Sequence, residues 1–254
     1  MYNTFKDVNT AFKAFNLNQS YSPSSVNASE DSSLNTAPYV SCQSAVTDSS
    51  IKARISLSEI YEFMRSGQAS FLGFEDKPQS VSLKDNIQQL RELVQSGNKK
   101  DAKELKSNCW ASTVAAEYSE KRRPLFFHQY NSRIPVDIDR IGYTEAIRLR
   151  EQLKSDKSVK FAGISPSGNG LKAIIKLQPF SGDFERVKSF HSQAFKHIIE
   201  IMQNLYKVKI DPSGGDLSRL MIWTYDPEAH INLSAESLQV PFEAKLLHSV
   251  TKTE

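Results

Sequence analysis

Residues 133–177, RIPVDIDRIGYTEAIRLREQLKSDKSVKFAGISPSGNGLKAIIKL, decide the fold. Arg133 to Ile138 reads as a strand that ends in an acidic pair, Asp137 and Asp139. Thr144 to Leu153 reads as a helix, with Ile147, Leu149 and Leu153 available for its buried side. Val159 to Ile164 is a second strand, Ser165 to Gly170 a turn, and Leu171 to Leu177 a third strand. Downstream, Asp183 caps a long helix whose Phe184, Val187, Phe190, Phe195, Ile198, Ile201, Met202 and Leu205 supply apolar contacts. Val208 to Ile210 and Leu220 to Thr224 read as further strands. The order β-α-β-β-α-β predicts an α+β protein with a ferredoxin- or RRM-like split βαβ unit: an antiparallel sheet with helices on one face. That topology hosts many activities and selects none of them.

Upstream the pattern is sparser. Leu125 to Phe127 reads as a short strand, Ser58 to Met64 as a helix stopped at Gly67, Leu83 to Ser96 as a helix closed by Gly97, and Lys100 to Lys106 as a third helix. Residues 17–50 are rich in Ser, Asn and Thr and bury too little to offset their ordering entropy. The expected organisation is a flexible arm over 1–50 and a domain over 51–245. That domain has a helical lead-in (51–120) and a core (125–232), and residues 246–254 form a tail. Phe5, Phe12 and Phe15 within 1–16 allow a short docking helix or belong to a disordered terminus.

Composition is that of an ordinary globular protein, 39% hydrophobic and 24% charged, with net charge +3. Residues 1–50 carry a net −2, so the remainder carries +5, a mild tilt toward phosphate-bearing ligands. Two cysteines make no disulfide framework. No apolar run approaches a membrane span and no signal pattern opens the chain, so a cytoplasmic location is expected.

Three features carry chemistry. Asp137 and Asp139 are two apart on a strand, so both carboxylates face one side. Two close like charges call for a cation, and a hard ion such as Mg²⁺ or Mn²⁺ answers that call. The plain alternative is a solvated pair at a strand end. In the second feature, Ser165, Ser167, Gly168, Asn169, Gly170 and Lys172 lie in or just after a glycine-rich turn between strands. Backbone amides, hydroxyls and the Lys172 ammonium can cradle phosphates there. The spacing is not that of a P-loop, and a simple hairpin turn uses the same residue types. The third is Asp211-Pro-Ser-Gly-Gly-Asp-Leu-Ser-Arg219. It offers a further carboxylate after a short strand, and an arginine able to grip phosphate. The alternative is a glycine turn with a surface Asp–Arg pair. Tyr225-Asp226-Pro227 reads as a turn signal, and His128 and His191 as surface or structural residues.

Val136-Asp-Ile-Asp139, Ser165 to Lys172, Ile210 to Arg219, the following Thr-Tyr-Asp-Pro and Asn232 together resemble the VirE N-terminal domain family. These are primase-polymerase-like domains of the archaeo-eukaryotic primase superfamily, found in Bacteroidetes and their mobile elements. The resemblance spans roughly residues 85–240. It implies that Asp137, Asp139 and Asp211 are catalytic metal ligands for Mg²⁺ or Mn²⁺. It implies nucleotide binding by the Ser165–Lys172 turn and phosphate contact by Arg219. Lys106 loosely matches a family lysine upstream. The implied activity is nucleotidyl transfer from nucleoside triphosphates on a single-stranded DNA template, in replication of a mobile element or phage. A helicase, where one takes part, is then expected to be a separate polypeptide. The wider superfamily carries a histidine in its second motif where this chain has Lys172. That difference keeps a second expectation open: a nucleic-acid-binding accessory protein that retains the fold without the catalysis. Template-free nucleotide hydrolysis or sensing is a third.

Overall fold

A Ser-x-x-Glu signature opens the first helix of the structure. Ser56 caps Leu57–Ser66 (α1) and accepts from the Glu59 amide, Glu59 reaches back to the Ser56 amide, and Gly67 ends the helix in the left-handed region at φ 76°. The structure, a computed structural model, describes residues 39–68 and 82–242. The docking helix considered for 1–16, most of the expected arm and the tail lie outside the described residues. Helices α2 (Leu83–Gln95), α3 (Lys99–Ser107), α4 (Tyr143–Leu153) and α5 (Phe184–Leu205) follow, each close to its expected bounds. Asp183 caps α5 through the Arg186 amide, as its position predicted.

The protein is α+β, with antiparallel sheets. Its central sheet joins β6 (Arg133–Asp139), β7 (Val159–Ile164), β8 (Gly170–Lys176) and β10 (His230–Ile231) in the order β10-β7-β8-β6. The β6-α4-β7-β8-α5 run thus has the split βαβ arrangement, with β8 between β6 and β7. Alternation decides the faces. Ile134, Val136 and Ile138 of β6 join Leu171, Ala173 and Ile175 of β8 in one core with Leu149 of α4 and Phe190, Phe195 and Ile198 of α5. The opposite face turns Phe161 and Ile174 toward a second core, where the Phe161 ring stacks on Tyr61 of α1 at 5.4 Å.

Five expectations change. The fourth strand at 208–210 does not form. Val208 and Ile210 are buried, but the segment meets β6 through one main-chain bond, Asp211 N–H to the Asp137 carbonyl at 3.0 Å. Pro135 suits β6 to an edge and denies that side a full set of donors. The strand expected at 220–224 exists as β9 (Leu220–Ile222) but belongs to another sheet, β2-β1-β3-β9, formed with β1 (Tyr39–Gln43), β2 (Ala53–Ser56) and β3 (Ala111–Thr113). The expected arm over 1–50 is therefore cut short: Tyr39–Gln43 pairs with both β2 and β3, and its Val40 and Cys42 are fully buried. The lead-in is accordingly mixed rather than helical. Finally, Leu125–Phe127 is mostly a 3₁₀ turn at Pro124–Phe126, and β5 (Phe127–Tyr130) follows, paired with β4 (Ala116–Tyr118).

Candidate active site

The site is built at the end of the central sheet where β6 stops and the β7–β8 hairpin turns. Asp137 and Asp139 share a face, as their spacing requires, and it is the face turned away from α4 and α5. Asp137 is partly buried and Asp139 exposed. Directly across the ladder, Lys172 of β8 is the register partner of Asp137. Its ammonium donates to Asp137 Oδ2 at 2.7 Å, and its side chain is 6% exposed. Asp137 Oδ1 is buried and receives no hydrogen bond.

Asp211 arrives from the far side of β6, held by the main-chain bond to Asp137. Its carboxylate accepts from the Ser213 amide at 3.0 Å, the Ser213 hydroxyl at 2.6 Å and Arg219 Nη2 at 3.1 Å. Those bonds from Ser213 hold it below the usual carboxylate range, and the charges of Arg219 and Lys172 push it the same way. Asp137, Lys172, Asp211 and Arg219 thus form one cluster drawn from three separate motifs. Two acids are balanced by two bases, and Lys172 acts on both carboxylates.

The Ser165–Gly170 turn is a tight hairpin. The Ser165 amide donates to the Gly170 carbonyl and the Gly168 amide to the Ser165 carbonyl, both at 2.9 Å. Gly168 sits at φ 73°, where a side chain is strained. A Cβ on Gly170 would lie 2.2 Å from the Ile138 carbonyl oxygen, so that glycine lets β8 close on β6. Asn169 is already engaged. Its Oδ1 accepts from the Gly142 amide at 2.9 Å and its carbonyl from Ile141 at 3.1 Å, which ties the turn to the start of α4. Ser165 is buried and its hydroxyl lies 3.1 Å from that of Ser167, which is partly exposed. Of the turn's groups, the partly exposed Ser167 is therefore best placed to meet a phosphate, while the ammonium of Lys172 is engaged by Asp137.

Two residues escaped the sequence reading. Arg91 of α2 donates to the Ser165 carbonyl at 3.3 Å and the Tyr225 carbonyl at 2.9 Å, and so clamps the turn to the segment after β9. Its own sequence signal is nil, because its partners lie 74 and 134 residues away. Asp226, read as part of a turn, is instead buried and pairs with Arg150 of α4 at 2.9 Å. Among the histidines, His191 is fully buried with Nδ1 3.1 Å from the Tyr130 hydroxyl, and His128 is exposed. Lys106 is exposed on α3.

Carboxylate oxygens are suitable donors for a hard divalent ion, and the open, buried Oδ1 of Asp137 is a vacant acceptor of that kind. Yet among the described residues no three Asp, Glu, His or Cys side chains are gathered closely enough to hold an ion. Instead, Lys172 pairs with Asp137 and Arg219 with Asp211.

Fold and cluster define an α+β domain with a charged centre at one end of a split βαβ sheet. The model of the family described as BT4734-like, N-terminal domain matches residues 104–230, half of the chain, and the chain belongs to that family. No curated protein and no solved structure matches it. Among the described residues, no helix is long and apolar enough to cross a membrane.

Proposed function

We propose that this protein is a metal-dependent nucleotidyltransferase of the primase-polymerase type, acting on a single-stranded DNA template in the replication of a mobile element or phage. The observation that carries the proposal is the convergence of Asp137, Lys172, Asp211 and Arg219 from three separate motifs. The likeness of those motifs to VirE N-terminal domains supports it.

In this reading Asp137, Asp139 and Asp211 would have to draw together to hold Mg²⁺ or Mn²⁺. Such an ion would supply activation of the attacking hydroxyl and neutralisation of charge on the triphosphate. Lys172 and Arg219 bind phosphate oxygens, with Ser167 as a nearby donor. The 3′ oxygen of the growing strand forms its bond to the α-phosphorus as the bond to pyrophosphate breaks. Lys172 and Arg219 stabilise the charge that develops on the leaving group. The protein works in the cytoplasm on nucleoside triphosphates.

Purified protein with a primed or unprimed template, nucleotides and Mn²⁺ is expected to yield extension products, lost by about 100-fold or more in Asp137→Ala. Full activity in that variant would remove the assignment of the site. One observation favours a second reading, an accessory protein that binds nucleic acid without catalysis: Asp137 and Asp211 are already paired with internal cations. Salt-dependent binding of single-stranded DNA, with no incorporation under any divalent metal, would select it.

A further inference from the structure

We infer that Arg133, Lys160 and Lys176 form an anion site, suited to a phosphate group, at the end of the central sheet opposite the candidate active site. It uses none of the residues assigned to the proposed activity and stands or falls apart from it.

Register and a bulge bring the three cations together. Arg133 opens β6 and is the register partner of Lys176 at the end of β8. Partners across an antiparallel ladder share a face, so both lie on the side turned away from α4 and α5. Lys160 sits where the β7–β8 register shifts, between Val159, opposite Ile175, and Phe161, opposite Ile174. Strict alternation from Ala162 and Ile164 would send Lys160 into the core under α4 and α5, the place that Val159 takes instead. The extra residue re-aims its side chain to the face of Phe161. Burial there, with the charges of Arg133 and Lys176 beside it, pushes its ammonium down to about 8.

No acid balances this group. Arg133 is 6% exposed and Lys160 7%, and among the described residues no carboxylate acts on either. Lys160 donates to the Leu233 carbonyl at 3.1 Å and Lys176 to the Ala235 carbonyl at 2.8 Å. Neutral donors would tie down that segment equally well, and carbonyls cancel no charge. Arg133 Nη1 is enclosed without a hydrogen-bond partner. Water serves such an N–H, but it leaves three positive charges drawn together and largely out of bulk solvent. An oxyanion removes that cost. Phosphate brings up to two charges and several oxygens, and the flat fork of Arg133 suits two of them. Lys176, partly exposed, marks the open side. The stacked rings of Phe161 and Tyr61 make an apolar wall, which strengthens the attraction.

The test is isothermal titration of the full-length protein with inorganic phosphate, ionic strength being held constant with chloride. Native protein is expected to bind phosphate. Lys160→Met and Lys176→Met keep the aliphatic stem, and each is expected to weaken binding about ten-fold or more. Arg219→Ala, at the other end of the sheet, is expected to bind as native protein does. Phosphate should also raise the urea midpoint of native protein and of Arg219→Ala but not that of the lysine variants, a difference that a merely structural lysine would not give. Should Lys160→Met fail to fold, Lys176→Met carries the test, since its side chain is already partly exposed. A single-stranded oligonucleotide that competes with phosphate identifies a nucleic-acid backbone as the source, and absence of competition a free phosphate; either supports the site. If native protein binds no phosphate, or the lysine variants bind it as tightly as native protein, the site is overturned. Loss of binding in Arg219→Ala alone assigns the phosphate to the active site and overturns it as well.

Discussion

Two ion pairs with buried cations lie on the central sheet and its helices, and they are built differently. Arg150–Asp226 is saturated. Arg150 Nη1 reaches both oxygens of Asp226, at 2.9 and 3.0 Å, and Nη2 binds Glu228 at 2.6 Å. Asp226 also accepts from the Ile164 amide at 2.9 Å and the Glu228 amide at 3.1 Å. Lys172–Asp137 has a single contact and leaves an oxygen empty. The first pair ties α4, β7 and the segment after β9 into one body, and its desolvation is offset by a full set of bonds. The second keeps an acceptor in reserve. The first pair is assigned a structural role and the second a place in the site, and that distinction can be broken by experiment.

The largest expected effect is on stability. Asp226→Ala strands a buried guanidinium and should cost about 3–5 kcal/mol in urea unfolding, with phosphate and metal affinity of the folded fraction unchanged. Asp137→Ala should show the reverse pattern, a smaller loss of stability with loss of extension. If the two profiles coincide, the contrast between the pairs fails.

His191 extends the structural side of the comparison. Burial pushes its imidazole down from near 6.5 to about 4. Between those values the unfolded chain takes up a proton that the folded chain refuses. Stability is therefore complete above about pH 6.5 and falls as the pH drops toward 4, by up to about 3 kcal/mol. The slope of stability against pH over that window should flatten in His191→Gln. Asp211, whose carboxyl is held low, acts in the same direction below the ordinary carboxylate range.

Gly170→Ala comes next. The added Cβ cannot clear the Ile138 carbonyl, and the resulting separation of β6 from β8 should cost about 1–3 kcal/mol in thermal or urea unfolding. Because the same ladder sets Lys172 against Asp137, extension should fall along with it. The smallest effect on stability belongs to Arg219→Ala. That pair with Asp211 is about a third exposed on both sides and should contribute less than about 1 kcal/mol, whereas triphosphate affinity should drop. A large stability loss there would place Arg219 with the structural pairs.

The sequence made β6, β7 and β8 legible because they lie close together in the chain. Val159–Ile164 appears where alternation and length put it, Arg133–Asp139 runs one residue longer, and Gly170–Lys176 is shifted by one residue at both ends. The shared face of Asp137 and Asp139 followed from period alone. The outer layer did not follow, because its pairings are long-range. Tyr39–Gln43 reads as one more polar stretch until Ala53–Ser56 and Ala111–Thr113 flank it. Burial of Val208 and Ile210 suggested a strand, but an edge with Pro135 gave it too few partners. Of the site, the three motifs were visible, and their convergence depended on register. Aligning Arg133–Asp139 against Gly170–Lys176 pairs Asp137 with Lys172, a step open to the sequence once an antiparallel partnership of the two strands is assumed. Arg91 and Asp226 had no local signal, since each works on partners scores of residues away.

The most direct test of the central claim is anomalous diffraction from crystals grown with Mn²⁺ and a non-hydrolysable nucleoside triphosphate. The account predicts a Mn²⁺ peak shared by Asp137 and Asp211 at about 2.1 Å from their oxygens, with Lys172 turned onto phosphate. A bound nucleotide with no metal at those carboxylates, and the Lys172–Asp137 pair intact, would contradict it.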